Sequence, residues 1–412
     1  MKKQRLLILA MVICFCVCLF TACNNTSNSG GGNPDNSDNT APDGTHPSTE
    51  GYADGLAYSV NDDGETCTIT GIGICTQTAF EIPEEIDGYT VTSIDYDAFY
   101  LCENLTSIVI PDSVTTIGDS AFYKCTSLKS VTFGENSQLT TIGICAFEDC
   151  GSLTSVTFGE NSKLTTIGGS AFYNCNSLAS IVIPDSVTTI GDSAFYWCTS
   201  LTSIVIPDNV TAIGKYAFNG CSSLTRVDIP DSVTVLGEYA FSSCSLTRVV
   251  IPDSVTTIGS YAFSGCSSLI SVTIGNSVTA IGSYAFNYCT SLTIIDIPDS
   301  VTAIGDRAFF YCTRLTSATI GDSVTTIGER AFAYCDSLTS IVIPDSVTSI
   351  GSYAFDACDS LTSVTFEDPN FWYVYVIQTN NAISRTHVTL TNPTKNATYL
   401  TDTYRKYNWY KE

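Results

Sequence analysis

The amino-acid sequence predicts a repeat solenoid built mainly from short β-strands, and three observations carry that prediction. A unit of about 23 residues recurs from residue 105 onward. Each unit contains a short run of alternating inward and outward residues, which is typical of a strand. Proline, aspartate and glycine recur at fixed places between these runs, where turns are expected. A chain with such a period is best interpreted as an array of stacked units.

The first residues of the chain have the pattern of an export signal. Three basic residues within the first five precede an apolar run from Leu6 to Phe20. That run of about 15 residues is shorter than the ~20 that a spanning helix needs. We therefore predict a signal peptide over residues 1–22. The formal net charge is −24, and removal of this segment makes it more negative by three charges. Such a surface disfavours nucleic acid and anionic lipid headgroups as partners.

The segment Leu19-Phe20-Thr21-Ala22-Cys23 resembles a bacterial lipobox, although Phe20 stands where leucine is commonest. The resemblance implies cleavage before Cys23 and lipid attachment to its thiol, so that the lipid alone contacts the membrane. Ordinary cleavage and free secretion is the alternative. The following stretch is almost wholly Asn, Ser, Thr, Gly, Asp and Pro. We predict that residues 23–50 are the lipidated cysteine and a flexible tether.

Residues 51–104 are predicted to form an N-terminal cap and a variant first coil. Strand-like alternation in Leu56–Val60 and Thr66–Thr70 flanks the turn sequence Asn61–Gly64, and this arrangement predicts a hairpin. Residues 80–104 hold a degenerate form of the later repeat. A cap is needed because the end coil of a solenoid otherwise exposes an apolar face.

Residues 105–366 carry twelve copies of the repeat, each aligned on one leucine. Burying the apolar residues of one unit does not offset the conformational entropy of ordering its backbone. One unit therefore cannot fold alone, and neighbours must cover both of its faces. The apolar positions shared by all copies are, in the first copy, Leu105, Ile108, Ile110, Val114, Ile117, Ala121, Phe122 and Cys125.

Within a unit, the order of residues predicts a strand, a bend, a second short extended piece and a helical turn. Ile108-Val109-Ile110 predicts a strand with both isoleucines inward. Pro111 ends the strand, and Asp112 suits the turn that follows. Gly118 is expected to permit a second bend, and Asp119 is placed to cap a short helical turn.

Three copies depart from the common length. Those that begin at Leu128 and Leu153 contain two extra residues in the first turn, and the copy from Leu224 is one residue short between Cys244 and Leu246. Such changes are expected to alter loops while the stacked core is kept.

The pattern Leu-x-x-Ile-x-Ile-Pro-x-x-Val-x-x-Ile-Gly-x-x-Ala-Phe-x-x-Cys resembles the BspA-like, or Treponema-type, leucine-rich repeats of bacterial surface lipoproteins. The resemblance covers residues 105–366. It implies a right-handed leucine-rich-repeat arc with a parallel sheet on its concave side and the short helical turns on its convex side. It also implies display at the cell surface, with adhesion to host proteins or other cells as described for some members.

Twelve cysteines recur at the repeat position of Cys125. An even number of cysteines in an exported chain is compatible with disulfides. Stacked neighbours would, however, have parallel Cβ vectors, which favours a column of buried thiols that pack as small apolar groups. Cys67 and Cys75 in the N-terminal cap are the one plausible disulfide. No Cys-x-x-Cys or Cys/His cluster points to a metal.

No catalytic motif is evident in the sequence. His46 and His387 are the two histidines, and neither has a nucleophile or metal ligand at a useful spacing. Phosphate-binding glycine loops and hydrolase motifs are also missing from the sequence. We therefore expect a non-catalytic binding module without cofactor or metal. Its expected partner is an extracellular protein or another cell-surface ligand, contacted through the solenoid.

The concave strand positions hold mostly Ser, Val and Thr, and the exceptions are the candidate ligand-binding residues Arg226, Asp228, Arg248 and Asp296. Arg226 and Arg248 are equivalent positions of neighbouring coils, so they are predicted to lie side by side as a recognition point. The alternative is that Asp228 pairs with them and no ligand is involved.

Residues 367–412 break the repeat and are rich in aromatic residues, such as those in Phe371–Tyr375. A packed C-terminal cap is predicted, with polysaccharide binding through these aromatics as an alternative function. Aromatic residues near the coil ends, among them Tyr196, Trp197 and Tyr288, could anchor a partner, although packing between coils explains most of them. A third hypothesis is a structural surface spacer without a ligand, which the near-identity of the coils favours.

Overall fold

The computed structural model describes residues 50–53, 55–73, 77–377 and 383–411. These residues belong to one compact unit, Ser48–Glu412. The predicted signal peptide, the lipid attachment at Cys23 and almost all of the tether lie outside the described residues, as does Cys75.

The N-terminal cap contains the predicted hairpin. Strand β2 (Leu56–Val60) is antiparallel to β3 (Thr66–Gly71), and the Asn61 N–H donates to the Thr66 carbonyl at 2.9 Å across the turn. Strand β3 is parallel to β6 (Tyr89–Ile94), so the cap continues directly into the stacked coils. The strands of this region are β1 (Glu50–Ala53), β2 (Leu56–Val60), β3 (Thr66–Gly71), β4 (Ala79–Glu81), β5 (Glu85–Ile86) and β6 (Tyr89–Ile94).

Each later coil contributes a two-residue strand to one parallel ladder, the short-strand ladder. Equivalent residues of neighbouring coils are paired in this ladder. Ile142, for example, lies between Ile117 of the preceding coil and Ile167 of the following coil. The ladder starts at β6 and runs without a break to the last coil. Its strands after β6 are β8 (Thr116–Ile117), β10 (Thr141–Ile142), β12 (Thr166–Ile167), β13 (Thr189–Ile190), β15 (Ala212–Ile213), β17 (Val235–Leu236), β19 (Thr257–Ile258), β21 (Ala280–Ile281), β23 (Ala303–Ile304), β25 (Thr326–Ile327) and β27 (Ser349–Ile350).

A second set of strands forms the long-strand face, where the sequence places the candidate site. Its parallel ladder is divided into four hydrogen-bonded pieces. With β4, its strands are β7 (Ser107–Ile110), β9 (Ser130–Phe133), β11 (Ser155–Thr157), β14 (Ser203–Val205), β16 (Arg226–Asp228), β18 (Arg248–Val250), β20 (Ser271–Thr273), β22 (Ile294–Asp296), β24 (Ser317–Thr319), β26 (Ser340–Ile343) and β28 (Ser363–Phe366). The predicted repeat solenoid with parallel strands is confirmed.

The core consists of columns of equivalent side chains that run through all coils. The phenylalanine column from Phe99 to Phe355 is fully buried, and successive ring centroids are 4.9 to 5.6 Å apart with nearly parallel planes. The eight repeated apolar positions of the first copy are each at most 1% exposed. Each coil therefore buries its apolar residues against the coils before and after it, as the sequence predicted.

On the side opposite the long strands, here the turn side, each coil makes tight turns in place of the expected short helical turns. Two residues per coil have left-handed backbone, such as Ser120 with φ 55° and Lys124 with φ 56°. A helix cannot continue through such residues. The N–H groups of Ser120, Phe122 and Lys124 donate to carbonyls of the following coil at 2.7 to 2.8 Å. Backbone hydrogen bonds thus join the coils on the turn side as well as in the ladders.

Asp119 accepts a hydrogen bond from the backbone of the next coil and does not cap a helical turn in its own coil. Its Oδ1 accepts from the Ile144 N–H at 2.6 Å. The equivalent Asp192 and Asp306 do the same toward Lys215 and Glu329, at 2.7 Å each. A side chain that was predicted to cap a helical turn therefore satisfies a backbone donor across the coil interface.

The glycine at the position of Gly118 is required by the close approach of neighbouring coils. A Cβ placed on Gly237 would lie 2.7 Å from the backbone C and O of Gly214, in the preceding coil. The same approach to backbone atoms of the preceding coil recurs from Gly118 to Gly351. The expected second bend is present, but the space between coils explains the glycine better than the bend does.

The predicted column of buried thiols is confirmed. From Cys125 to Cys358 each Sγ lies 3.1 to 3.4 Å from a phenylalanine carbonyl of the preceding coil and donates to it. Cys102, at the start of the column, is only partly buried. Cys67 is a buried free thiol whose Sγ lies 3.8 Å from the Tyr89 carbonyl, and Cys75, its suggested disulfide partner, lies outside the described residues.

The C-terminal cap closes the last coil with strands and a helix. Strand β31 (Trp409–Lys411) is antiparallel to both β27 and β29 (Trp372–Ile377), and β29 is antiparallel to β30 (Ile383–His387). Trp372 and Trp409 are each 1% exposed. The elements are β29 (Trp372–Ile377), β30 (Ile383–His387), helix α1 (Pro393–Thr398), a π-helical turn (Tyr399–Thr403) and β31 (Trp409–Lys411).

Candidate ligand-binding surface

The long-strand face presents a nearly uncharged surface of small hydroxyl and β-branched side chains. Strands alternate, so the middle residue of each triplet is buried and the two flanking residues point outward. Val205 is 70% exposed and Val182 is 81% exposed. Apolar residues at this exposure contribute little to the core, which makes this face available for contact with another molecule.

Three of the four predicted site residues meet on this face. Arg226 and Asp228 flank the buried Val227 in β16, and Arg248 occupies the equivalent place in β18. Arg226 Nη2 donates to Asp228 Oδ2 at 2.9 Å, and both side chains are mostly exposed. An exposed pair of this kind contributes little to stability.

Arg248 differs from Arg226 because no carboxylate lies within 4 Å of its guanidinium among the described residues. The alternative in which Asp228 neutralises both arginines therefore holds for Arg226 alone. A guanidinium presents a planar fork of donors that matches a carboxylate or phosphate. The surface thus offers one neutralised arginine beside one with its charge available.

The Arg226 and Arg248 side chains line a depression of about 470 Å³. It lies at one of the three interruptions of the long-strand ladder. Strand β16 pairs with β14 and β18 pairs with β20, but the described residues show no pairing of β16 with β18. The Thr247 N–H still donates to the Thr225 carbonyl at 3.2 Å at the start of these strands. The interruption falls at the copy that is one residue short, so a change of repeat length and a change of charge coincide here.

Asp296 does not belong to this group. It lies on β22, separated from β18 by β20, which is roughly 10 Å at ordinary strand spacing. Its Oδ1 accepts from Thr319 Oγ1 at 2.9 Å, and it lines a smaller depression of about 270 Å³ with Val272 and Asn276. The structure therefore divides the predicted set into a cluster of three and one separate residue.

The turn side carries an aromatic column that is not among the residues predicted from the sequence to bind a partner. Tyr216, Tyr239, Tyr261 and Tyr284 stack with centroid distances of 4.3 to 4.7 Å, and the Arg307 guanidinium lies 5.3 Å from the Tyr284 ring centre. The signal in the sequence is a tyrosine directly before Ala-Phe in four successive copies. Mutual stacking covers the ring faces of this column, so it mainly stabilises the coil interfaces.

The C-terminal aromatics serve mostly as core. Trp372 and Trp409 pack with Phe366, at 5.1 and 6.4 Å between ring centres. Tyr375 and Tyr410 remain partly exposed and contact each other edge to face at 5.4 Å. A polysaccharide site in this segment would therefore have to use Phe371, which is 59% exposed, or the tyrosines, because its two tryptophans are buried.

Metal binding and membrane spanning find no support in the part of the chain that the structure describes. No group of three His, Cys, Asp or Glu side chains is placed to hold a metal ion there. Nor does any described helix have the length and apolar character needed to cross a bilayer.

Stacked coils of this kind, with a leucine at each coil start and parallel strands on two sides, define a leucine-rich-repeat solenoid. A family model for the BspA type leucine-rich repeat region matches residues 92–198, 188–315 and 279–394. The chain belongs to the BspA-type leucine-rich-repeat family. Proteins of this family are typically bacterial surface proteins and non-catalytic binding scaffolds, and no enzyme family is indicated.

Two crystal structures illustrate the similarity. A leucine-rich repeat protein from Bacteroides ovatus is 29% identical, with a TM-score of 0.57, over 76% of this chain and 87% of that one. A leucine rich cell surface protein from Faecalibacterium prausnitzii is 29% identical, with a TM-score of 0.50, over 79% of this chain and 96% of that one. No curated protein matches the chain.

Proposed function

We propose that the chain is a non-catalytic, adhesin-like binding module that is lipid-anchored at the bacterial surface. The export signal and the lipobox-like segment ending at Cys23 support the anchor, and the family membership supports display. The similar Faecalibacterium prausnitzii protein is itself described as a cell surface protein. The partner is an extracellular protein or another cell-surface ligand.

The contact is proposed at the depression between β16 and β18, and one observation carries this choice. Among the described residues, Arg226 and Arg248 are the arginines of a face that otherwise holds mostly Ser, Val and Thr, both line that depression, and Arg248 has no acidic partner. A carboxylate of the partner would pair with Arg248, while Asp228 holds Arg226 in place beside it. Charged anchors in a central depression are typical of interface hot spots.

The test is binding of the fragment 48–412 to an array of immobilised extracellular-matrix and serum proteins. This fragment contains the whole described core, which extends from Leu56 to Trp409. Arg226→Ser combined with Arg248→Ser gives both positions the serine that neighbouring coils have at the equivalent position. The double variant is expected to weaken binding at least tenfold, about 1.4 kcal/mol, while its thermal midpoint is unchanged.

A matched control removes the same charge elsewhere. Lys163 and Arg314 are exposed and lie outside the depression, so Lys163→Ser with Arg314→Ser is expected to bind as the parent does. An equal loss of affinity in both double variants would show that the effect depends only on net charge and not on this site. Retained binding in the Arg226/Arg248 variant would contradict the site, and no binding to any arrayed protein would favour the structural spacer.

A further inference from the structure

Tyr239 and Tyr261 are the most closely stacked pair of tyrosines among the described residues. Their ring centres are 4.3 Å apart, and the angle between their ring planes is 6°. Tyr216 and Tyr284 continue the stack on either side, at 4.7 and 4.4 Å. All four occupy the same repeat position in successive coils. The repeat thus places the phenol rings of neighbouring coils face to face.

The backbone holds this pair in register. Tyr239 and Tyr261 have the same left-handed conformation, with φ of 57° and 60°, so both side chains leave their coils in the same direction. The Tyr239 N–H donates to the carbonyl of Ser260, the residue before Tyr261, at 3.0 Å. The two rings therefore stay in contact for as long as the two coils are stacked.

Both phenols are protonated and within reach of solvent. The two side chains are half-buried, so part of each ring remains open to small molecules. Burial, and then the neighbouring tyrosines, raise the pKa of Tyr239 and of Tyr261 above the ordinary value of 10.0. An oxidant that takes an electron from either ring at neutral pH must therefore also cause the loss of its hydroxyl proton.

A positive charge distinguishes the end of the column from this central pair. The Arg307 guanidinium lies 5.3 Å from the Tyr284 ring centre, and a cation there opposes the removal of an electron from that ring. Tyr353 has the same repeat position, but its ring contacts the Arg330 guanidinium at 4.6 Å and has no stacked tyrosine among the described residues. Tyr239 and Tyr261 combine close stacking with a neutral environment on both ring faces.

We propose that Tyr239 and Tyr261 are a site of oxidative modification, where a haem peroxidase with hydrogen peroxide joins the two rings into a dityrosine link between neighbouring coils. The peroxidase takes one electron from each phenol, and each hydroxyl releases its proton. The two radicals form one carbon–carbon bond between the ring carbons that adjoin the C–OH carbons. Each bonded carbon then loses its hydrogen as a proton, and each oxygen regains one. The two electrons and two protons lost overall convert the peroxide into two water molecules.

The link would lock two coils together. It would join residues that lie 22 positions apart in the chain. A covalent bridge of this kind restricts the unfolded state, as a disulfide does, and so favours the folded array. The site is on the turn side, away from the depression between β16 and β18, and it does not depend on the proposed ligand.

The experiment treats fragment 48–412 with a haem peroxidase and hydrogen peroxide, followed by trypsin and mass spectrometry. Tyr239 is the only tyrosine of tryptic peptide 227–248, and Tyr261 lies in peptide 249–307. These peptides should be joined with the loss of two hydrogen atoms, and fragmentation should place the link at Tyr239 and Tyr261. Because the rings are held in contact, the folded fragment should yield at least about tenfold more of this link than the fragment in urea.

Tyr261→Phe keeps the stacked ring but removes the phenol, so it should abolish the link. Oxidation should raise the thermal midpoint of the parent and leave that of this variant unchanged. Tyr353→Phe is the matched control, since it makes the same substitution at the same repeat position and should leave the link unchanged. Equal yields in folded and urea-treated protein, or no link in the folded parent, would overturn the proposal. So would a link that joins labelled to unlabelled chains in a mixture of isotope-labelled and ordinary protein.

Discussion

Raising the pH above 9 is expected to destabilise the solenoid steeply and to unfold it before pH 12. Burial raises the pKa of Cys198, Cys266 and Cys312 to about 12, against an ordinary value of 9.0. A group whose pKa is higher in the folded state contributes its full stability below the unfolded pKa. That contribution is lost as the pH rises from 9 through the folded value. Between these two pKa values, each such thiol lowers the free energy of unfolding by about 1.4 kcal/mol for each unit by which the pH rises.

The size of this effect follows from repetition, because the same buried thiol recurs in eleven successive coils from Cys125 to Cys358. Urea unfolding followed by circular dichroism at pH 7 to 11 measures it. Cys266→Ala with Cys312→Ala is the comparison. This variant should be less stable at pH 7, since two carbonyls lose a donor, but its stability should decline less steeply above pH 9. Identical slopes for the two proteins would contradict a thiol origin.

Gly237→Ala is expected to lower the free energy of unfolding by about 3 kcal/mol, which is near the upper end of the range for overpacking in a rigid core. The added Cβ would lie 2.7 Å from backbone atoms of Gly214 and Lys215, and neither can move without separating two coils. Gly151→Ala is the control, because no atom lies within 4 Å of the position of its Cβ. Its stability should change by less than about 0.5 kcal/mol. Comparable losses in the two variants would argue for a local effect of alanine on the backbone, independent of coil contact.

The stacked core could be predicted from the sequence because it depends on side chains that recur in every copy. The period placed Phe122, Cys125 and their equivalents in one interior without any knowledge of the path between them. The conformation of the turn side could not be derived in this way. Its left-handed positions are occupied by residues such as Ser120, Lys124 and Tyr216, which have no local preference for that backbone. The coil-to-coil hydrogen bonds impose it, and they exist only in the array.

The candidate site was also predictable only in those features that follow from equivalent positions in the repeat. Equivalence within the repeat was enough to place Arg226 beside Arg248 on one face. The interruption of the ladder between β16 and β18 was not foreseen. The one-residue deletion near Cys244 does not by itself explain it, because the described residues also show no pairing of β24 with β26, whose copies have the common length. Asp296 was grouped with the arginines by its charge, but two strand spacings separate it from Arg248. The charged residues stand out in the sequence because the equivalent positions of other coils are uncharged. Which of them lie close together can be told only from the geometry of the coils.

We infer that each coil is stable only between its neighbours, and the reactivity of the column cysteines measures this dependence directly. Alkylation of Cys221, Cys244, Cys266 and Cys335 in fragment 48–412 can be followed by peptide mass spectrometry in the parent and in Gly237→Ala. Slow labelling is expected in the parent. In the variant, the first three cysteines should all be labelled faster, with little change at the distant Cys335. Acceleration at Cys244 alone would show that one coil opens independently of those beside it, and would rule out this dependence.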